Sequence, residues 1–510
     1  MLPRATGNWT NGEARHLLNR AGFGGSPGDV EKLHGLGREA AVEFLIAGKE
    51  MQGAFRLPEW CDMEQAVADA KMRREQFMDA QRARRSAAKS DEADKARRMA
   101  FQDFQKENRS HALEAQGWWF NRMLKTSAPL REKMVLFWHD HFATSIQKVK
   151  QPVLLMNQNE LFRKNAFGSF RDLTQAIVRD PAMMLYLDTQ RSNKAMPNEN
   201  FAREVMELFT LGEGNYTEED VKEAARAFTG LQLSRFNGEV TENVRNWDNG
   251  EKTIFGKSGK YKGSDVVDLI FEKDACAKFM VGKLWEFFAY ESPVDSAMED
   301  LARTLRKADY EVEPVLREIF LSKEFYGEKA MASQIKCPVQ YLVQMLKELE
   351  MDTAPIGFPI QGQIQLGQVL FMPPNVAGWD WGKAWINTNT LLTRYNIAGS
   401  LTKGSFEEGK GGGGMMRGME GKFGRMRGNR LAGRNAAGPD FSGIATESER
   451  NDTKTLVDGL IVRFFSVPIP EKARASFVEY ANTKRGVSFT DKELGELCHL
   501  MLSTPYYQIC

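Results

Sequence analysis

The five cysteines of this 510-residue chain, Cys61, Cys276, Cys337, Cys498 and Cys510, are odd in number and widely spaced, with no Cys-x-x-Cys pair. That pattern argues against a disulfide framework and against a structural zinc site. Histidine is scarce as well, at six in all. No segment reaches the ~18 apolar residues of a spanning helix. The opening residues, Met-Leu-Pro-Arg-Ala-Thr-Gly-Asn-Trp-Thr, lack the apolar core of a secretory signal. The expected location is the cytoplasm, with export in the company of a signal-bearing partner left open. Charge of either sign is not in excess, with 69 Lys and Arg against 68 Asp and Glu. Net charge therefore gives no whole-protein argument for nucleic acid or an anionic membrane. There is no repeat, no βαβ alternation, and no Gly-rich phosphate loop after a strand.

What is present is helical periodicity. Hydrophobic residues make up 42% and charged residues 27% of the chain, ordinary values for a soluble globular protein. The length exceeds one usual core, so two or three helical subdomains are expected. Short helices separated by glycine fill residues 1–58, with Asn11 as a possible first cap and Ser26-Pro27-Gly28-Asp29 as a restart signal. Neither Gly nor Pro occurs between Pro58 and Gly117, and the charged, apolar-poor run there reads as a projecting helical arm over 59–116. From Gly117 to about residue 403 the chain turns apolar and reads as the helical core, with Trp118 opening a new helix. Residues 231–263 lose the helical period and read as a loop or small β excursion. Gly404–Gly438 holds 12 Gly and 7 Lys or Arg, too little apolar area to offset its chain entropy, and reads as part of a disordered linker over 404–453. Residues 454–510 resume helical texture. The fold class is mainly α, a multi-helix body with a long charged helical arm and a disordered Gly-rich loop.

The densest candidate chemistry lies in Pro197–Gly230. On a regular helix Asn200, Arg203, Glu204, Glu207 and Leu211 share one stripe, and Phe201, Val205 and Leu208 another. Glu204 and Glu207 are near enough for one carboxylate to raise the other's pKa, although Arg203 could simply neutralise the pair. Phe137-Trp138-His139-Asp140-His141-Phe142 places its two imidazoles about 200° apart on a helix, so both cannot reach one metal from a regular helix. In the helical register His141 points inward, as a core histidine bonded to backbone or an acid, as an acid/base or substrate-binding group, or, were the helix to end at Trp138, as a metal ligand. Pro373–Asn389 carries three tryptophans within seven residues, beside Asp380 and Asn387. Indole faces beside amide and carboxylate groups suit a sugar ring; a rigid packed loop is the alternative. The expected site is a polar cleft with His141, Arg203, Glu204 and Glu207 as catalytic residues. Asp188, Asn198, Asn200, Trp379, Asp380, Trp385 and Asn387 would be its ligand-binding residues. Metal and cofactor are left unassigned.

His16–Gly24, Phe137–Phe142, Pro181–Asp188, Asn198–Gly230, Lys336–Val339 and Pro373–Arg394 together resemble a bacterial family known only as domain of unknown function 1800. The resemblance spans most of the chain and implies a mainly helical protein with no assigned activity. It also implies a sulfatase-like partner, because members are often encoded beside a second uncharacterised family that resembles sulfatases. The chain departs from the family pattern at Trp247, where a His is expected before Asp248 and Gly250. Two functions follow: a hydrolase or lyase acting on a carbohydrate-like ligand, or a non-catalytic partner or assembly factor for the sulfatase-like protein.

Overall fold

The computed structural model describes the chain apart from residues 51–52, 81–90, 235–237, 404–437, 485, 487 and scattered positions between 63 and 80. The Gly-rich segment 404–437 and much of the first half of the charged arm therefore lie outside the described residues. Within them the chain is mainly helical, with two small two-stranded antiparallel sheets. No helix among the described residues is long and apolar enough to cross a membrane.

Helix α1 (Asn11–Arg20) starts one residue earlier than expected, because Thr10 is its cap and Glu13 returns the bond to the Thr10 backbone. Helix α2 (Asp91–Lys125) has 35 residues, a rod of about 50 Å. It corrects the expected break at Gly117. A lone glycine costs a helix only about 1 kcal/mol, and the burial of Trp119, Phe120 and Met123 just beyond it outweighs that. Helix α3 (Pro129–His141) carries Pro at its first turn, and every residue from Glu132 to His141 is buried. Helix α4 (Pro152–Lys164) packs on α3.

Helix α5 (Glu199–Glu204) runs directly into a π-helical turn, Val205–Leu211. Helix α6 (Glu218–Ala227) opens with the expected Thr217–Asp220 capping box. The non-helical stretch then forms two antiparallel hairpins, Leu231–Leu233 with Val240–Glu242 and Lys252–Ile254 with Lys257–Gly259. A single helix over 264–288 is expected from the periodicity; it is two, α7 (Gly263–Phe271) and α8 (Asp274–Phe288). Helices α9 (Pro338–Glu348), α10 (Thr388–Thr402), α11 (Thr453–Phe464) and α12 (Asp491–Leu502) follow. Helix α11 and the C-terminal Tyr507 are tied to α9 through buried polar groups, with Arg463 Nη1 donating to the Glu348 carbonyl at 3.0 Å. The Glu348 carboxylate accepts from Tyr507 Oη and from Gln344 Nε2, both at 2.8 Å, and Lys336 Nζ lies 3.6 Å from the Tyr507 ring centroid.

The join between α2, α3 and α4 is electrostatic. Glu132 is fully buried, and its Oε2 accepts from Arg163 Nη2 at 2.8 Å and from Trp119 Nε1 at 3.1 Å. Arg122 Nε lies 2.9 Å from Oε1. Burial alone would raise the Glu132 pKa, but the charges and donors of Arg163, Arg122 and Trp119 hold it below the usual value. Glu132→Gln leaves the two buried guanidiniums with only the part-exposed Glu160 as counter-charge. It is expected to cost about 3–5 kcal/mol, read as a lower urea midpoint at unchanged slope. A cost under about 1 kcal/mol would show that the arginines find other partners.

Candidate functional site

Lys133, Phe137, Asp140 and His141 stand at i, i+4, i+7 and i+8 on α3, one face of the helix. That face lines a cavity of about 430 Å³. Lys283, Glu286 and Phe287 of α8 form a second wall, and Trp379, Asp380, Trp381 and Trp385 a third. Cys337 and Gln340, at the start of α9, complete it with Gln368.

The tryptophan segment is held against α3 by one side chain. Asp140 Oδ1 accepts the Trp379 backbone N–H at 2.7 Å. Gly378 precedes it with φ +86°, and a Cβ there would collide with the Asp140 carboxylate. Only glycine meets both demands without strain. Trp379 and Trp385 are buried, whereas Trp381 is 46% exposed and stands edge-on to Phe287 at 5.2 Å.

Asp140, His141 and Lys133 have shifted proton affinities. Burial raises the Asp140 carboxyl from 3.8 to about 7, against the opposing pull of the Trp379 N–H and the Lys283 charge. Burial, with help from Lys283, lowers His141 to about 3, although its bond to the Phe209 carbonyl works the other way. His141 Nε2 is 2.9 Å from that carbonyl oxygen. A carbonyl only accepts, so Nε2 carries the proton and Nδ1 keeps the lone pair. Lys133 Nζ donates to Gln340 Oε1 at 2.6 Å, and burial lowers its pKa. His139 points the other way, among Trp119, Phe371 and Trp379 at 5.3–5.5 Å between centroids, as the helical period requires.

The structure thus brings His141, Trp379, Asp380 and Trp385 to one cavity, but not the rest of the expected set. Asn198 caps α5, accepting from Asn200 N at 3.1 Å and donating to Leu187 O at 2.7 Å. Asn200 is exposed. Arg203 forms a two-point pair with Glu218, both bonds 2.7 Å. Glu207 accepts from the Tyr216 hydroxyl. Burial, and then the Glu207 charge, raise the Glu204 pKa. Asp188 has φ +59° and pairs with Lys148 at 2.8 Å. Asn387 caps α10. The π-turn bears on Glu207 alone: past Glu204 the period is no longer 3.6, and within the turn it is Leu208 that reaches the cavity wall. Asp248 is held by Arg226 at 2.8 Å, and Lys252 lies over the Trp247 ring, so the segment that departs from the family pattern is locked internally. Among the described residues no group of three or more His, Cys, Asp or Glu side chains is placed to hold a metal.

Lys133, Asp140, Lys283 and Gln340 are cavity residues that the sequence reading did not single out. The available signal was the spacing of Lys133, Phe137, Asp140 and His141, ionisable groups repeating at helical period inside an otherwise apolar segment.

A family model described as protein of unknown function, DUF1800, matches residues 16–509, nearly the whole chain. No curated protein and no solved structure matches it.

A carboxyl whose folded pKa is raised to about 7 stabilises fully below 3.8, and that contribution is lost as pH rises through 7. Asp140→Asn removes the titration and keeps an acceptor for Trp379 N–H. Its melting temperature is expected to gain on that of the unsubstituted protein as pH rises from about 4 to about 7. Parallel curves in calorimetry across that range would show that Asp140 ionises freely in the folded protein.

Proposed function

The chain belongs to the DUF1800 family of proteins of unknown function, and from the cavity we propose a carbohydrate-processing role. The ligand binds under the tryptophan segment, and a hydrolase or lyase reaction proceeds by general acid/base chemistry. One observation carries this reading. Three tryptophans and a buried carboxyl whose pKa is raised to about 7 line one cavity of about 430 Å³. Cavities of this size hold small ligands. Aromatic faces take the apolar faces of a sugar ring, and Asp380, Gln340 and Gln368 supply polar contacts to its hydroxyls.

Asp140 is the proposed proton donor and acceptor. A group poised near neutrality holds either protonation state at working pH, which acid/base catalysis needs. His141, neutral and with Nδ1 unprotonated, is the proposed acceptor that orients a ligand hydroxyl or water. This assignment replaces Glu204 or Glu207 as the acid/base group and Arg203 as the anchor, because those side chains lie outside the cavity wall.

A second reading is favoured by a different observation. Asn198, Arg203 and Glu207 of the stripe find partners within the chain, as in a scaffold, and α2 exposes Met99 and Phe101, at 55% and 61%. On that reading α2 docks a partner, the sulfatase-like protein, and the chain has no catalysis of its own.

Thermal unfolding against a panel of oligosaccharides separates the two, since a ligand of the native state raises the melting temperature. A sugar-specific rise that Trp381→Ala diminishes is expected. Asp140→Asn is expected to keep the rise and to lose about 100-fold or more of glycan cleavage, measured by reducing-end or unsaturated-product release. Cleavage undiminished in Asp140→Asn would remove Asp140 from the mechanism.

A further inference from the structure

We propose that the ligand carries an acidic substituent, a carboxylate or a sulfate ester, which the Lys133 ammonium anchors at the cavity floor. The inference rests on the carbohydrate reading above and narrows it to acidic sugars.

Lys133 is only 4% exposed, yet it lines the cavity. Its one hydrogen-bond partner among the described residues is Gln340 Oε1. That amide is not free to turn, because its Nε2 donates to the Asn19 carbonyl at 2.9 Å and so keeps the oxygen toward the lysine. Two aromatic rings lie close by, with the Phe23 and Phe287 centroids 5.1 and 5.6 Å from Nζ. No carboxylate pairs with this ammonium among the described residues. Its charge interacts favourably with Cys337 and Cys510 and unfavourably with Arg20, which is itself fully buried, and burial raises the Cys337 thiol so that it stands beside the ammonium as a neutral group.

A buried cation without a counter-ion is costly, and folded proteins almost always pair one. The acids around the cavity do not do so. Glu286, Glu291 and Asp380 are exposed, where water screens them. Asp140 is seven residues further along α3, about 10 Å in axial rise. An anion delivered by the ligand supplies the missing charge in a low-dielectric setting, where the attraction is strongest.

The test is calorimetric titration of the full chain at fixed ionic strength with three length-matched oligosaccharides: uronate-containing, sulfated and neutral. Each is run with the unsubstituted protein and with Lys133→Met, which matches the stem and removes the charge. The unsubstituted protein is expected to bind one acidic series about tenfold or more tighter than the neutral one, with Lys133→Met losing that preference and keeping neutral binding. Preference for the uronate or for the sulfated series identifies the anion. Equal binding of acidic and neutral sugars, or a preference that survives in Lys133→Met, overturns the proposal while leaving the carbohydrate reading intact. Binding of none of the three overturns both. Should Lys133→Met not fold, competition decides: acetate or sulfate must displace the acidic oligosaccharide from the unsubstituted protein but not the neutral one, and failure to discriminate overturns the anchor.

Discussion

Burial of the Glu132 carboxylate between Arg163 and Arg122 is the constraint on which the site depends. A carboxylate without exposure is tolerated only where its charge is answered and its lone pairs are filled. Meeting that demand draws guanidiniums from α2 and α4 onto α3 and adds the Trp119 indole N–H. The three helices are thereby fixed in one relative position. One residue later along α3 comes Lys133, and Phe137, Asp140 and His141 follow on the same face. The cavity wall is in this sense set by an ion cluster that takes no part in it.

Helix α3 departs from the usual division into an apolar stripe and a wet face. Buried on all sides, it carries Glu132, Lys133, His139, Asp140 and His141 in ten consecutive buried residues. Each meets burial differently. Glu132 stays ionised because its partners outweigh desolvation. The two histidines lose their proton. Asp140 is left between these outcomes, with a backbone N–H and a distant lysine opposing burial without overcoming it. Such half-compensated groups are costly to stability, and they concentrate where a protein does chemistry. Asp140 is also the latch of the tryptophan segment, so the group proposed to move protons is the same one that positions the aromatic wall. In the proposed function, binding and proton transfer are coupled through that one carboxyl.

The Asn198–Glu207 stripe shows why a polar helical face is a weak indicator of chemistry. Amide, guanidinium and paired carboxylates are the groups of an active site, and equally those of a helix cap and surface ion pair. Asn198 and Arg203 belong to the second kind: a cap bond, and a two-point pair with Glu218. The π-turn after Glu204 then rotates the rest of the segment out of register. The Glu207 charge still helps burial to raise the Glu204 pKa, as spacing predicted, but Leu208 lines the cavity while those two carboxylates stay outside its wall.

Sequence alone determined the helical class, the capping signals at Ser26 and Thr217, the irregular stretch before α7, the inward His141 and the clustering of tryptophans in 379–385. All of these are local, set by period, cap chemistry and composition within a few residues. It also placed the chain, through its motifs, in the family whose model matches residues 16–509. Tertiary structure alone decided that Gly117 leaves α2 unbroken, since packing of Trp119 and Phe120 exceeds a glycine's helix penalty. It alone decided that Asp140, 239 positions before Trp379, would hold that residue's backbone. The charge state of a buried group, and whether a polar stripe faces a cavity or a neighbour, depend on what distant chain segments bring against it. No local pattern carries that information, because burial and counter-charge are properties of the assembled fold.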